Sequence, residues 1–349
     1  MSLTAPVLAY RARLRTRGLL IAGIAVLAVA CFLLDLATGP GNLPLSDILA
    51  AVFSPDAQTP RLRVIVWDIR LPVATMALVI GAMLGLAGAQ MQTILANPLA
   101  DPFTLGLSSA ASVGAAVAIV MGWALLPGLA GNAAITANAF VFALFAAGLV
   151  YLLTLLRGVT SETMILFGIA LLFAFNALLG LLQYRASEVQ LQQIIFWMMG
   201  SLGRSNWTRI AIAAGVLAVA APLLWRRRWA LTAIRMGEER ARSLGVDVRR
   251  IRLEVLALVS LLAATAVSFV GVIGFIGLVG PHIARLLVGE DQRFFVPLSA
   301  LSGALICSAT SVVAKTLVPG TIFPLGIITA LVGVPFFLSL VLSRRGRAA

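Results

Sequence analysis

Few residues in this chain could make or break a bond. The single histidine, His282, follows Pro281 where an apolar run is interrupted. A metal site there would need several further ligands, and a nucleophile would need a base beside it. Neither partner is evident, and His282 reads as a hydrogen-bonded residue steadying a broken helix. Cys31 and Cys307 lie inside apolar runs and read as small buried hydrophobes, with no sign of a disulfide or metal site. The phosphate-loop pattern G-x-x-x-x-G-K-[ST] is absent, because the only lysine, Lys315, follows Val-Val-Ala. Asp35, Asp68 and Glu254 lie at the ends of apolar segments, so no ion relay crosses their middles. The expectation is a chain with no catalytic residue, no metal and no bound cofactor of its own. If it moves a solute uphill, the energy comes from another protein.

One stretch is chemically out of place. Residues 236–250, MGEERARSLGVDVRR, set a dense group of charges into a chain that is 61% hydrophobic and 11% charged. Glu238 and Glu239 at a helix start, with Arg240 and Arg242 later, suit the helix dipole, and Gly245 is a natural stop. Ala241, Leu244 and Val246 give the unit a small apolar face. Its two readings are a basic loop that fixes topology and a docking knob for a partner.

The elements around it follow from hydropathy. A chain of 349 residues with mean hydropathy +1.04 has more apolar surface than a soluble domain can bury, so the bilayer is its solvent. Ten apolar segments are expected, near 18–37, 69–95, 103–121, 134–156, 163–184, 207–225, 252–273, 276–289, 294–317 and 323–343. The piece at 276–289 is too short to cross alone and must be enclosed by protein. Ten crossings put both ends on one side. That side then carries nineteen of the 26 basic residues, which makes it the cytoplasm by the positive-inside bias. Residues 1–17, 226–251 and 344–349 become cytoplasmic tail, loop and tail of a single membrane domain. The net charge of +13 therefore reports orientation. Nucleic acid is not an expected partner, since basic stripes interleaved with exposed aromatics are missing.

The stretch VIGAMLGLAGAQMQTILANPLADPFTLGLSS, starting at Val79, and FVGVIGFIGLVGPHIARLLVGEDQR, starting at Phe269, share a layout. Each is a Gly-rich apolar span broken at a polar or Pro-containing turn. The shared layout hints at an internal repeat, and inverted repeats are common in transport proteins. The small residues Gly81, Gly85 and Ala89, and Gly271, Gly274, Gly277 and Gly280, allow close helix approach; flexibility of a broken helix is the second reading. Gln90, Gln92 and Asn176 are polar within apolar spans and either line a path or bond across helices.

Six stretches, taken in order, resemble the FecCD-type ABC importer permeases: WDIRLPV, GAMLGLAGAQMQTILANPLADPFTLGLSSAAS, FWMMGSLGRSNW, MGEERARSLGV, GFIGLVGPHIARLLVG and PLGIITALVGVPFF. They run from about residue 67 to 338, and the first 60 residues match only in general character. The resemblance implies an all-α polytopic protein of about ten transmembrane helices in inverted-repeat halves, some of them short or broken. It implies a bacterial or archaeal inner membrane with both termini cytoplasmic. The expected partners are a second permease chain, identical or paralogous, two cytoplasmic ATPase subunits that bind ATP and Mg, membrane lipid, and a periplasmic or lipid-anchored substrate-binding protein. The cargo would be an iron-siderophore, haem or cobalamin-type chelate.

Residue by residue, the resemblance makes Gly237, Glu238, Ala241, Leu244, Gly245 and Val246 the ATPase seat. It makes Arg70 and Lys315 the docking charges for the binding protein. Relatives often carry a second Arg where this chain has Val73, so Arg61, Arg63 or Arg204 could contribute instead; an interfacial arginine that merely snorkels is the plainer reading of Arg70. Asn97 and Leu99 in the NPLADP turn, with Ser161 and Glu162, match two cytoplasmic gate segments, and Gln90 and Asn176 are candidate path-lining residues. The rival function is a self-sufficient secondary carrier of a bulky solute.

Overall fold

The computed structural model describes residues 4–39, 43–157, 160–318 and 320–345. Among them the regular structure is helical, and the one β-type pairing is an isolated bridge between Val318 and Thr321. Each of the ten expected apolar segments forms a helix. Seven helical stretches are long and apolar enough to cross a membrane, and three further apolar helices are shorter.

The first crossing is α1 (Thr4–Ala37). Residues 4–17, within the expected cytoplasmic tail, form the first turns of the same helix. Two of its residues reach α14: Arg17 pairs with Asp291 at 3.4 Å and stacks on Phe294, and Tyr10 accepts from Arg293 at 3.4 Å. The tail expected at 344–349 lies outside the described residues beyond Arg345.

Two small helices, α2 (Leu45–Phe53) and α3 (Pro60–Val64), lead through a π-helical turn at Ile65–Arg70 into α4 (Leu71–Ile94). The chain continues through α5 (Leu107–Met121), α6 (Gly131–Arg157), α7 (Ser161–Arg185), α8 (Glu188–Met198) and α9 (Trp207–Arg226). The charged insert forms α10 (Arg228–Arg235) and α11 (Glu238–Ser243). The last apolar helices are α12 (Val248–Val270), α13 (Ile276–Val288), α14 (Gln292–Thr316) and α15 (Leu325–Arg345).

Polar pairs fix the helix directions. The start of α1 meets the start of α14 through Arg17 and Asp291, and the end of α1 meets the end of α14 through Asp35 and Lys315 at 2.7 Å. These two helices are therefore parallel. The start of α4 reaches the end of α1 through Arg70, and its end reaches the start of α14 through Gln90 and Gln292, so α4 is antiparallel to both. One end of the molecule thus gathers the starts of α1, α12 and α14, the end of α4, and the insert. It is the arginine-rich end.

Small residues put α4 at the centre. A Cβ added to Gly88 would overlap the backbone of Gly277 on α13, and one added to Gly81 would overlap the Gly303 carbonyl on α14. At these positions the packing explanation for the glycine spacing applies, because van der Waals contact in a bilayer grows as backbones approach.

The break between α12 and α13 sits deep in the fold, with Gly271 at φ 76° and Phe275 at φ 68°. At its edge Val270 O accepts from Ser201 N–H at 2.7 Å, and the same loop after α8 is paired with the start of α15: Leu325 N–H donates to Gly200 O at 3.0 Å and Gly326 N–H to Met199 O at 2.9 Å. Irregular backbone survives at membrane depth only when paired in this way.

Candidate functional site

At the arginine-rich end the insert is a defined, two-sided unit. Gly237, at φ 115°, sits in backbone space that side chains avoid, and it separates α10 from α11. α11 closes on a Schellman motif: Gly245 N–H donates to Arg242 O at 2.9 Å and Val246 N–H to Ala241 O at 3.0 Å, with Gly245 at φ 79°. Leu231, Ile234 and Ala241 are buried toward the helices. Trp229, Met236 and Leu244 face out, with Leu244 68% exposed. Of the six residues assigned to the seat, Gly237, Leu244 and Gly245 are exposed, Glu238 and Val246 are half-buried, and Ala241 is buried. Trp229 and Met236 are exposed as well, and a large apolar residue amid arginines was the available sign in the sequence.

The NPLADP turn begins with a second Schellman motif. Ala96 N–H donates to Thr93 O at 3.3 Å and Asn97 N–H to Gln92 O at 3.2 Å, with Ala96 at φ 49° where glycine is usual. Asn97 Oδ1 accepts from Leu99 N–H at 2.9 Å, and Asp101 Oδ1 accepts from Phe103 N–H at 2.8 Å. Leu99 is exposed at the tip. Thr160 caps α7, accepting from Thr163 N–H at 3.1 Å. The next residue, Ser161, donates to Ile94 O at 3.4 Å, while Glu162 faces out. The structure thus brings Ser161 beside the turn that carries Asn97 and Leu99.

At the opposite end a cavity of ≈ 560 Å³ lies between the start of α4, residues 201–205, the end of α14 and residues 322–325. Arg70 and Lys315 both border it, yet both are turned inward. Arg70 is 4% exposed and donates to Leu36 O at 3.1 Å, Ala37 O at 3.0 Å and Gly39 O at 3.4 Å. It occupies the unpaired carbonyls that every helix end leaves, here those of α1. Lys315 pairs with buried Asp35. Arg61 and Arg63 are the exposed basic residues nearby on α3. In the loop after α8, burial first and neighbouring Arg209 second push Arg204 down to about 10, so it stays charged at neutral pH.

The two polar candidates for a path separate. Gln90 is fully buried and bonds Gln292 at 3.4 Å across α4 and α14, whereas Asn176 is exposed on α7. His282 stacks edge-on against Phe336, with ring centroids 5.6 Å apart.

Sequence reasoning passed over the polar links behind the insert. Arg252 lies on the stripe Val248, Ile251, Arg252, Val255 and Leu256 that α12 buries, and a lone charge on an apolar stripe was the signal. Glu290 pairs with Arg235 of α10 and, at 2.9 Å, with Arg285 of α13.

The sequence profile of the FecCD transport family matches residues 19–343, nearly the whole chain. The chain belongs to the FecCD transport family. Two relatives are similar to it over most of their length. A hemin transport system permease protein of Yersinia pestis is 37% identical, covering 80% of this chain and 84% of its own. A cobalamin import system permease protein of Halobacterium salinarum is 39% identical, covering 82% and 75%. Among solved structures, an inward-facing metal-chelate type ABC transporter aligns with a TM-score of 0.79 at 30% identity, over 93% of this chain and 99% of that one.

This FecCD protein is accordingly a multi-pass membrane permease of an ABC transporter, a subunit class without catalysis of its own. The reading as a self-powered carrier gives way to it. The six motif stretches now have places in the fold: the Arg70 turn, the broken end of α4, the stitched backbone at 199–202, the insert, α13 and the start of α15.

Proposed function

We propose that this FecCD permease imports a metal chelate or cobalt- or iron-bearing macrocycle, driven by two ATPase subunits that seat on α10–α11. The observation that carries the reading is the outward apolar side of that insert, Trp229, Met236 and Leu244 among arginines, in a chain whose sequence has no phosphate loop. Large apolar side chains left exposed among charges are what a protein partner covers. The arginine-rich end faces the cytoplasm of a bacterial or archaeal inner membrane, in keeping with the basic-residue bias. Two permease chains, identical or paralogous, form the path, and a soluble or lipid-anchored binding protein delivers cargo to the opposite end.

Arg61 and Arg63 supply the exposed charge that steers that protein. Arg70 and Lys315 act from inside, by fixing the mouth of the cavity through the end of α1. ATP turnover displaces the insert, and the Asn97–Asp101 turn and the Ser161 segment open or close the cytoplasmic exit. Hemin, cobalamin and metal-chelate cargoes are those named for its relatives.

The test co-expresses the permease with its neighbouring ATPase and isolates the complex. The double change Leu244→Asp and Gly245→Asp is expected to release the ATPase, and retention of the intact complex would refute the seat. Binding of hemin, cobalamin and ferric siderophores to the cognate soluble receptor then selects the cargo.

A further inference from the structure

Arg252 is 1% exposed, and its guanidinium meets three separate parts of the arginine-rich end. Nε donates to Ile94 O at 3.0 Å, Nη2 donates to Ser161 Oγ at 3.0 Å, and Nη2 also donates to Glu238 Oε1 at 2.5 Å. Ile94 O is the carbonyl at the end of α4, one of the groups left without a partner inside the helix. The planar fork of arginine holds several acceptors at fixed angles, which the single ammonium of lysine does not do. So one buried cation joins the turn carrying Asn97 and Leu99, the start of α7, and the first residue of α11.

A second line reaches the same helix end. Arg235 of α10 donates to Glu290 Oε2 at 3.1 Å, Arg285 donates to Glu290 Oε1 at 2.9 Å, and Arg285 Nη2 donates to Gln92 Oε1 at 2.7 Å. Gln92 is fully buried and donates in turn to Gly277 O at 3.3 Å. Both helices of the insert are therefore linked to residues 92–94 through charge-assisted bonds whose arginines are well covered and whose acids, Glu238 and Glu290, are each 40% exposed. Such bonds are the strong ones, and a Schellman motif passes any shift of residues 92–94 directly to Ala96 and Asn97.

We propose that Arg252 is the positioning residue of the transport stroke: it makes the insert, the end of α4 with its Asn97–Asp101 turn, and the start of α7 move as one body. Glu290, held between Arg235 and Arg285, is its second tether. The role of this body in transport rests on the reading of α10–α11 as the ATPase seat, whereas its rigidity does not.

The experiment separates the two. In the full chain carrying Cys31→Ser and Cys307→Ala, spin labels at Leu99→Cys and Ser243→Cys, both exposed positions, report the distance between turn and insert. With the permease alone in lipid nanodiscs, the parent should give one narrow distance. Arg252→Gln should broaden it and shift its mean by about one helical turn, roughly 5 Å. Arg252→Lys should fall between. An Arg252→Gln distribution equal to the parent's overturns the proposal. If Arg252→Gln fails to fold, the pair Glu238→Gln with Ser161→Ala, which keeps the guanidinium but weakens two of its arms, gives the same readout: broadening supports the tether and an unchanged distance overturns it.

In the complex with its ATPase subunits, cycling between nucleotide-free and ATP–vanadate states should move both labels together relative to a third at Arg61→Cys. Movement of Ser243→Cys without Leu99→Cys overturns the tether. A constant pair that no nucleotide state displaces upholds the tether and refutes the seat on α10–α11.

Discussion

At the scale of single residues, the two basic side chains expected to meet a binding protein are pins inside the chain. Arg70 closes the end of α1 through three carbonyls, and hydrogen bonds from a charged donor contribute about 1.5–3 kcal/mol each. Arg70→Glu should therefore lower the folded yield, measured by detergent size-exclusion chromatography, before any effect on docking is seen. The double change Arg61→Glu and Arg63→Glu should leave folding intact. It should slow association with the binding protein about tenfold at low salt and much less at high salt, read by stopped-flow or surface plasmon resonance.

A pH effect belongs to the same scale. The Arg293 side chain, bonded at 2.7 Å, holds the Asp291 carboxyl below its ordinary range, with Arg17 adding to the pull while partial burial opposes it. The native state then binds fewer protons than the unfolded state. The contribution is present at neutral pH and is lost as acid titrates the group below the usual carboxylate value of about 4. Asp291→Asn should cost about 0.5–1 kcal/mol at neutral pH, given how far these ions are exposed to water, and should flatten the acid limb of a melting-temperature profile.

At the scale of elements, α4 is where the molecule tolerates least change. Gly88→Ala drives a methyl into the Gly277 backbone, with no flexible side chain to yield. The expected loss is about 1–3 kcal/mol or more, seen as a lower melting temperature of the purified chain. Gly148→Ala on α6 is the matched control: nothing lies within 4 Å of the added carbon, and the better helix former should be neutral or slightly stabilising. Equal losses at the two sites would remove the argument that close crossing, and not helix propensity, placed these glycines.

At the scale of the whole molecule, the fold is a scaffold of crossed helices with two unlike ends. One holds a cavity and inward-held charges. The other holds a partner-facing insert wired to the break in α4. On the reading of α10–α11 as the seat of an ATPase that supplies the energy, the permease alone in proteoliposomes should not concentrate hemin, cobalamin or a ferric siderophore. Adding the ATPase, ATP and the binding protein should start uptake. Accumulation by the permease alone would end the account.

Much of this was legible in the sequence. The ten apolar segments gave their helices because a bilayer leaves backbone groups no partner except those within a helix. The insert stood out as charge amid apolar sequence, and its glycines marked its joints. The inward turn of Arg70 and Lys315 was not legible, since a basic residue at a span end reads the same whether it reaches out to a partner or back to a helix terminus. Nor was the convergence of Ile94, Ser161, Glu238 and Arg252, which are up to 158 residues apart along the chain. Sequence alone determined which segments are apolar helices, because that choice depends on local composition. Only the tertiary structure decided which polar groups meet, because a buried charge takes whatever acceptors the crossing of distant helices sets within reach.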